Sequence, residues 1–446
     1  MRRTACTAKP ATSRTPTRIS AGCRHRVAKA PSIRACSRHA LPAANHRSSA
    51  MQGLAALDGI RVVCFGMGAA APFATASLAD FGAEVIKVEP PGGDWSRTTP
   101  GLGTREFNRN KRGIAINLKS SDGLALALKL IARADVVMES FRPGVMDRLG
   151  LGYATLQQAH PRLVYCSVSA YGQDGPWKDR PGVDGIIQAV SGIMSVLGSE
   201  DEDAEPIKTP FPMADMAAGF LAAQGILLAL LARDRHGMGQ HVDVSLLEAA
   251  LVIQKSSMTR YLQSGELPRR TGSRAPYATP NEAYRTSDGH IMLAAYSPAR
   301  WSAFCRNVLD MPELETDPRF VDRKVRQGNQ KALKRIIEEV FSHRTSAEWL
   351  ELCEANDLIC GSINTYDRVI AHEQVSARNA IETVSFPDGE TMRTLAAAPK
   401  LSATPGKVTS PYPAKIGQHT RQVLTELGLA PAEIDRLRDE GIIGTA

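Results

Sequence analysis

Asp215 stands between Ala214 and Met216, at the mouth of an apolar run from Met216 to Ala232 in which Gln224 is the one polar residue apart from glycines. Aspartate is a favoured helix N-cap, where its carboxylate accepts bonds from the first backbone amides and contributes roughly 0.5–2 kcal/mol. The same position also suits chemistry. At the positive end of a helix dipole a carboxylate is held ionised, and an ionised carboxylate is a nucleophile toward an activated carbonyl. Ala214, Ala217, Ala218 and Gly219 are small, so a bulky electrophile has room to approach. Residue type and position leave both roles open.

A second constellation lies near the start of the patterned region. Gly66-Met67-Gly68-Ala69-Ala70-Ala71 has the form GxGxx(G/A), after the β-rich run Arg61 to Phe65 and before a helix candidate from Pro72 to Phe81. Glu89 follows at the end of a second strand-like run, Glu84 to Val88, at about the distance of an acid that holds a ribose hydroxyl. An NAD-dependent oxidoreductase is one reading. Glycines here let the chain turn tightly and leave amide hydrogens free at a helix N-terminus, which stabilises any bound anion. A pyrophosphate and a carboxylate see the same amides, and a purely structural turn needs the same glycines. The motif names a place and not a ligand.

The elements that must position these groups alternate. Ile114 to Leu118, Asp135 to Met138, Leu163 to Val168 and His241 to Leu246 are strand-like, while Gly123 to Ala132 is helical. Strands interleaved with helices predict an α/β fold with a doubly wound, Rossmann-like, mainly parallel sheet. The run Met216 to Ala232 is uncharged and seventeen residues long, short for a membrane span, so it is expected to be a core helix buried all round. Arg233, Arg235, His236 and then Gly237 end it. The texture changes near Gly272, where GSRAPYATPNEAYRTSDG looks like an irregular connector. A strand from Ile291 to Ala295, helices over Pro298 to Leu309, Gln330 to Phe341 and Ser346 to Asn356, and a strand near Cys360 to Asn364 then predict a smaller α/β domain. The expected organisation is a basic tail over 1–53, the N-terminal part of a large domain over 54–271, a connector and small domain over 272–384, and a C-terminal segment over 385–446 that returns to the large domain and ends in a helix from about Thr420.

Charge excludes one class of partner. The chain of 446 residues carries a formal +8, but the eleven Lys and Arg of residues 1 to 56 precede the first acid, Asp58. Taking those eleven from the 54 Lys and Arg leaves 43 against 46 acids, so the body offers no basic field for nucleic acid. The Arg-, Ser- and Ala-rich, acid-free tail reads either as an organelle transit peptide, implying the mitochondrial matrix, or as translation from an upstream start ahead of Met51, implying the cytoplasm. Of the eight cysteines, Cys6, Cys23 and Cys36 lie in the tail, and the rest lack CxxC spacing, so neither a metal site nor a disulfide framework is expected.

Several spaced segments go further. LDGIRVV at Leu57, FGAEVIKVEPPGGDWSR at Phe81, FNRNKRGIAINLKS at Phe107, ADVVMESFRPGVMDRLGLGY at Ala134, YGQDGPWKDRPGVD at Tyr171, HGMGQHVDVSLLEA at His236, TSDGHIML at Thr286 and IGQHTRQVLTELG at Ile416 occur in one order over nearly 390 residues. On these the chain resembles the class III CoA-transferase family, also called the carnitine-dehydratase and bile-acid-inducible-protein (CaiB/BaiF) family. The resemblance implies that Asp215 is the acyl-accepting nucleophile. It also implies that Ala69 and Ala70 line the thioester site, and that Leu118, Lys119, Ser140, Arg142 and Arg148 hold coenzyme A, whose phosphates suit the three cations. It implies acyl-CoA and carboxylic acid substrates, no permanently bound cofactor, no metal, no membrane partner and a homodimer of two chains threaded as interlocked rings. Two departures narrow it. Where the racemase branch carries a histidine this chain has Val183, followed by Asp184, and a valine carries no proton. Where the formyl-CoA branch has a glycine flap it has Ser273 to Ala278, which puts oxalate in doubt and leaves a dicarboxylic or hydroxy-acid acceptor open. An acyl-CoA racemase, a carnitine-type CoA enzyme and a non-catalytic CoA-binding homologue are the competing readings alongside the oxidoreductase.

Overall fold

Val and Ile concentrate in short runs bounded by Gly, Pro and polar residues, and each run becomes a strand because branched side chains pack well on a pleated surface. A computed structural model describes residues 54–99, 105–201, 203–385, 389 and 391–446. Six strands follow one another: β1 (Arg61–Cys64), β2 (Glu84–Glu89), β3 (Lys111–Ile116), β4 (Val136–Glu139), β5 (Val164–Ser169) and β6 (His241–Ser245). β7 (Asn281–Arg285), β8 (His290–Ala294) and β9 (Ile359–Ser362) form a separate antiparallel sheet. β10 (Ile381–Ser385) pairs with β11 (Thr391–Leu395), and β12 (Ile443–Gly444) returns to the first sheet.

The main sheet runs β12-β3-β2-β1-β4-β5-β6, parallel throughout except where β12 lies antiparallel on β3. Successive side chains point to opposite faces of a strand, so β1 sends Val62 and Cys64 into one core and Val63 into another. The first core is closed by helices Ala70–Asp80 and Met213–His236. The second is closed by helix Ser121–Ile131 and by the C-terminal helices Thr420–Glu426 and Pro431–Asp439. A third core, with Tyr284, Phe304, Phe341 and Trp349, sits under the three-stranded sheet. The order 3-2-1-4-5-6 reverses direction between β1 and β4, and in such sheets ligands bind at the carboxyl ends of strands where the order reverses.

The doubly wound parallel sheet expected from the sequence is present, with most elements within two residues of their anticipated ends. The connector after Gly272 departs from expectation: it contains β7, whose Asn281–Arg285 alternates buried with more accessible side chains in a pattern too short to stand out. The C-terminal segment forms two helices and an edge strand where one helix was expected.

The long helix corrects a firmer expectation. It spans Met213–His236, 24 residues, and by length and composition is apolar enough to cross a bilayer. It packs instead on the sheet through Ala218, Ala222, Ile226 and Ala229, all essentially inaccessible. It is not buried all round, because Phe220 is 61% exposed and Leu228 59%, with Leu227 and Leu231 beside them. Uniform apolarity cannot distinguish a helix wrapped by its own chain from one that leaves a face for something else to cover.

Candidate active site

Turns leaving β1 and β4 meet at the reversal point. After β1 the chain passes through Gly66 and Gly68 into helix Ala70–Asp80, Gly68 adopting a φ of +77° that a side chain would strain. After β4, Ser140 places its hydroxyl 3.0 Å from the Met67 amide, which donates to it and ties the turns together. The first-turn amides of the helix have no intrahelical acceptor, and Ala69, Ala70 and Ala71 all line a cavity of about 650 Å³. Asp215 lines the same cavity, with Trp95 and Thr99 on one side and Val183, Asp184 and Gly185 on another.

A buried ion pair builds the Trp95 wall. Lys87, wholly inaccessible on β2, donates to the Gly66 carbonyl at 2.9 Å and to Asp94 Oδ2 at 2.7 Å. The other Asp94 oxygen accepts from the Ser96 amide at 2.9 Å, capping the turn that carries Trp95. A Cβ on Gly68 would lie 3.0 Å from the Trp95 ring, so the glycine lets wall and turn close on each other. Glu89, expected as a ribose ligand, is consumed here instead: 1% exposed, it accepts from Arg97, Tyr412 and the Asp94 amide. Burial would raise its pKa, but the Arg97 hydrogen bond and the Lys87 charge outweigh it and hold the carboxyl below its usual range. An acid sealed this way cannot meet a ribose, and the dinucleotide reading of the glycine turn fails on that residue.

Asp215 differs from expectation in three respects. The helix begins at Met213, with Pro212 before it, so Asp215 is a first-turn residue and not the cap. The capping role falls to Asp184, whose Oδ1 accepts from the Ala214 amide at 2.7 Å and the Asp215 amide at 3.3 Å. The Asp215 carboxylate is only partly ionised at neutral pH: burial first, and the Asp184 charge second, push its pKa up to about 7. Dipole and desolvation oppose each other, and desolvation wins because, among the described residues, no cation stands beside the group. The small neighbours do not clear a path for ligand. Gly219 exists for helix packing, since a Cβ there would meet the Phe73 ring at 2.5 Å, and Ala214 and Ala218 are buried in the core.

Of the other anticipated residues, the cavity gathers Ala69, Ala70 and Ser140 with Asp215. Arg142 lines a separate hollow of about 310 Å³ with Tyr153, Ser167, Lys178 and His241, against Glu139, which burial pushes up to about 7. Leu118 packs against the second core, and Lys119 and Arg148 are exposed. Residue patterns missed Trp95, Gln188 and Lys208. Gln188 is fully buried and bonds to Asp184 and Thr209; its neighbours in sequence are ordinary helix residues, so nothing short of the tertiary fold marks it.

Residues 57–420 match CoA-transferase family III. The chain is 34% identical over 419 residues to an acyl-CoA transferase of Fusarium pseudograminearum, covering 90% of this chain and 91% of that one. It is 33% identical over 396 residues to the succinyl-CoA:glutarate CoA-transferase of Mus musculus, covering 87% and 90%. The crystal structure of a CaiB/BaiF family protein from Brucella suis superposes with a TM-score of 0.74 at 32% identity, over 84% of this chain and 99% of that one.

Proposed function

The chain belongs to CoA-transferase family III and is a CoA-transferase acting on CoA thioesters, and from that premise we propose that Asp215 carries the acyl group and the CoA in turn. The observation that carries the reading is a carboxylate lining the cavity at the sheet's reversal point, engaged by no side chain among the described residues, beside the free amides of a helix N-terminus.

In its ionised form Asp215 attacks the thioester carbonyl, the C–S bond breaks, and CoA leaves as thiolate with the electron pair, giving a mixed anhydride. The thiolate then attacks the Asp215 carbonyl of that anhydride, expelling the donor acid as carboxylate and leaving an aspartyl-CoA thioester. The acceptor carboxylate attacks this thioester to form a second anhydride, and the released thiolate attacks its acceptor carbonyl, returning Asp215 and the new acyl-CoA. Each addition places negative charge on a carbonyl oxygen, which the amides of Ala70 and Ala71 are suited to stabilise. Ser140 steadies that turn. Lys119, Arg142 and Arg148 would meet the phosphates of CoA, with Leu118 against its nucleotide; their exposure and charge support that assignment. Val183, 66% exposed at the cavity, offers no proton donor where a racemase would need one.

The exposed apolar face of the long helix supports a homodimer, whose interlocked form follows from the family resemblance. Size-exclusion chromatography with light scattering that returns a single chain would refute the dimer. For the chemistry, incubation with a CoA thioester and hydroxylamine converts an acylated Asp215 to a hydroxamate that peptide mass spectrometry locates. An unmodified Asp215 in an enzyme that turns over would overturn the relay.

A further inference from the structure

Among the described residues, the cavity around Asp215 is lined by two carboxylates, several apolar or neutral side chains and one cation, Lys208. Among the described residues no hydrogen bond or ion pair engages its ammonium. By contrast, Lys87, Arg97 and Lys111, the buried or half-buried cations of the surrounding walls, are all committed to carboxylates or backbone carbonyls. Its stem runs over Gly185, where an added Cβ would stand 3.6 Å from Lys208 Cδ and 3.9 Å from Cε. Both distances are ordinary van der Waals contact, so the stem lies alongside the Gly185 backbone at the cavity wall.

The segment holding Lys208 is tied to the nucleophile's helix through buried groups. The next residue, Thr209, donates from its amide to Gln188 Oε1 at 2.9 Å and from its hydroxyl to the same oxygen at 3.2 Å. Gln188, 0% exposed, donates to Asp184 Oδ2 at 2.6 Å, and Asp184 Oδ1 accepts the amides of Ala214 and Asp215. The backbone beside Lys208 is therefore tied to the start of the nucleophile's helix through one buried amide and one carboxylate. Lys208 is exposed at the edge of the cavity it shares with the carboxylate nucleophile, and an unengaged cation there has a specific use. It pairs with a second negative charge on the group being transferred.

We infer that Lys208 selects acyl groups bearing a terminal carboxylate, that is, dicarboxylic acids and their mono-CoA thioesters. The inference rests on the reading of Asp215 as acyl carrier. With one carboxyl joined to Asp215, the far carboxylate reaches the ammonium, and the charge-assisted pair offsets the repulsion from Asp184 that any anionic substrate meets here. A monocarboxylic acyl chain of equal length leaves Lys208 solvated and gains nothing from it.

The test uses the full-length enzyme with succinyl-CoA and butyryl-CoA, and with glutaryl-CoA and valeryl-CoA. Each pair has the same chain length and ends in a carboxylate or a methyl. Formation of the Asp215 hydroxamate is followed for each. In the wild type, kcat/KM for the carboxylated member exceeds that for its partner by roughly 10–100-fold. Lys208→Met brings that ratio close to one, and Lys208→Glu inverts it. A lysine serving the CoA phosphates would lower both members together and leave the ratio intact, which overturns the inference, as does a wild-type enzyme with no preference. Labelled Asp215 without a carboxylate preference sinks this inference alone; no label at Asp215 with any thioester sinks the acyl-carrier reading beneath it.

Discussion

Acids in two neighbouring regions meet opposite treatment. On the β2 side, Asp94 and Glu89 are nearly inaccessible, yet both keep pKa values below the usual carboxylate range, because the Lys87 and Arg97 charges and hydrogen bonds outweigh burial. Across the cavity Asp215 is pushed up to about 7, by burial first and the Asp184 charge second, with no cation beside it among the described residues. Burial raises the pKa of all three acids; what separates them is whether a paired cation outweighs it. The difference divides labour, with locked acids holding the wall and an unpaired one left free to react.

The most severe way to break that division is at the nucleophile. Asp215→Asn removes the attacking oxygen while keeping size and helix position, and CoA transfer should fall by about 10³-fold or more, measured as thioester exchange between labelled acids. Residual exchange within tenfold of wild type would return Asp215 to a structural role.

On the other side of the comparison, Lys87→Met strands Asp94 without its charge partner and frees the Gly66 carbonyl. Removing one partner of a buried pair costs roughly 3–5 kcal/mol, read as a drop in the urea midpoint. An unchanged midpoint would mean that water reaches the pair.

The same Asp215→Asn protein should be more stable than wild type at pH 8, by about 1–3 kcal/mol. The folded-state pKa near 7 lies above the ordinary 3.8, so the ionised group costs stability above pH 7, and that cost disappears as pH falls from 7 toward 4. Urea titrations at pH 8 and pH 4.5 should show the gain at the first and almost none at the second. The locked acids act in the opposite sense: their stabilisation is complete above the ordinary carboxylate range and is lost as pH falls through their lowered values.

The smallest effect sharpens the comparison most. Asp184→Asn keeps an oxygen for the Ala214 amide but removes the second cause of the raised Asp215 pKa. The rising limb of the pH–rate profile, set by ionised Asp215, should move toward acid by up to about one unit. No movement would leave burial as the sole cause.

Much of the fold was legible because its signals are local. Runs such as RVVCF and EVIKV carry β-propensity without reference to distant residues, and the Gly66 and Gly68 turn announces a reversal-point site whatever its ligand. The spaced segments from Leu57 onward were enough to recognise the family. The identity of the acid at the apolar helix was legible too, but its chemistry was not: the helix starts earlier than its apolar run, and proline 212 together with Asp184 sets that start.

Sequence alone determined the order of strands and helices, the apolar helix with an acid at its mouth and the family to which the chain belongs, since these depend on residue type and spacing along the chain. Tertiary structure decided that Glu89 is locked and Asp215 is not, that Asp184 and Gln188 connect the nucleophile to Lys208, and that one face of the long helix remains open. Each of those outcomes depends on which charges and side chains become neighbours through space, and pairings such as Glu89 with Tyr412 join residues more than three hundred positions apart, beyond the reach of any local pattern.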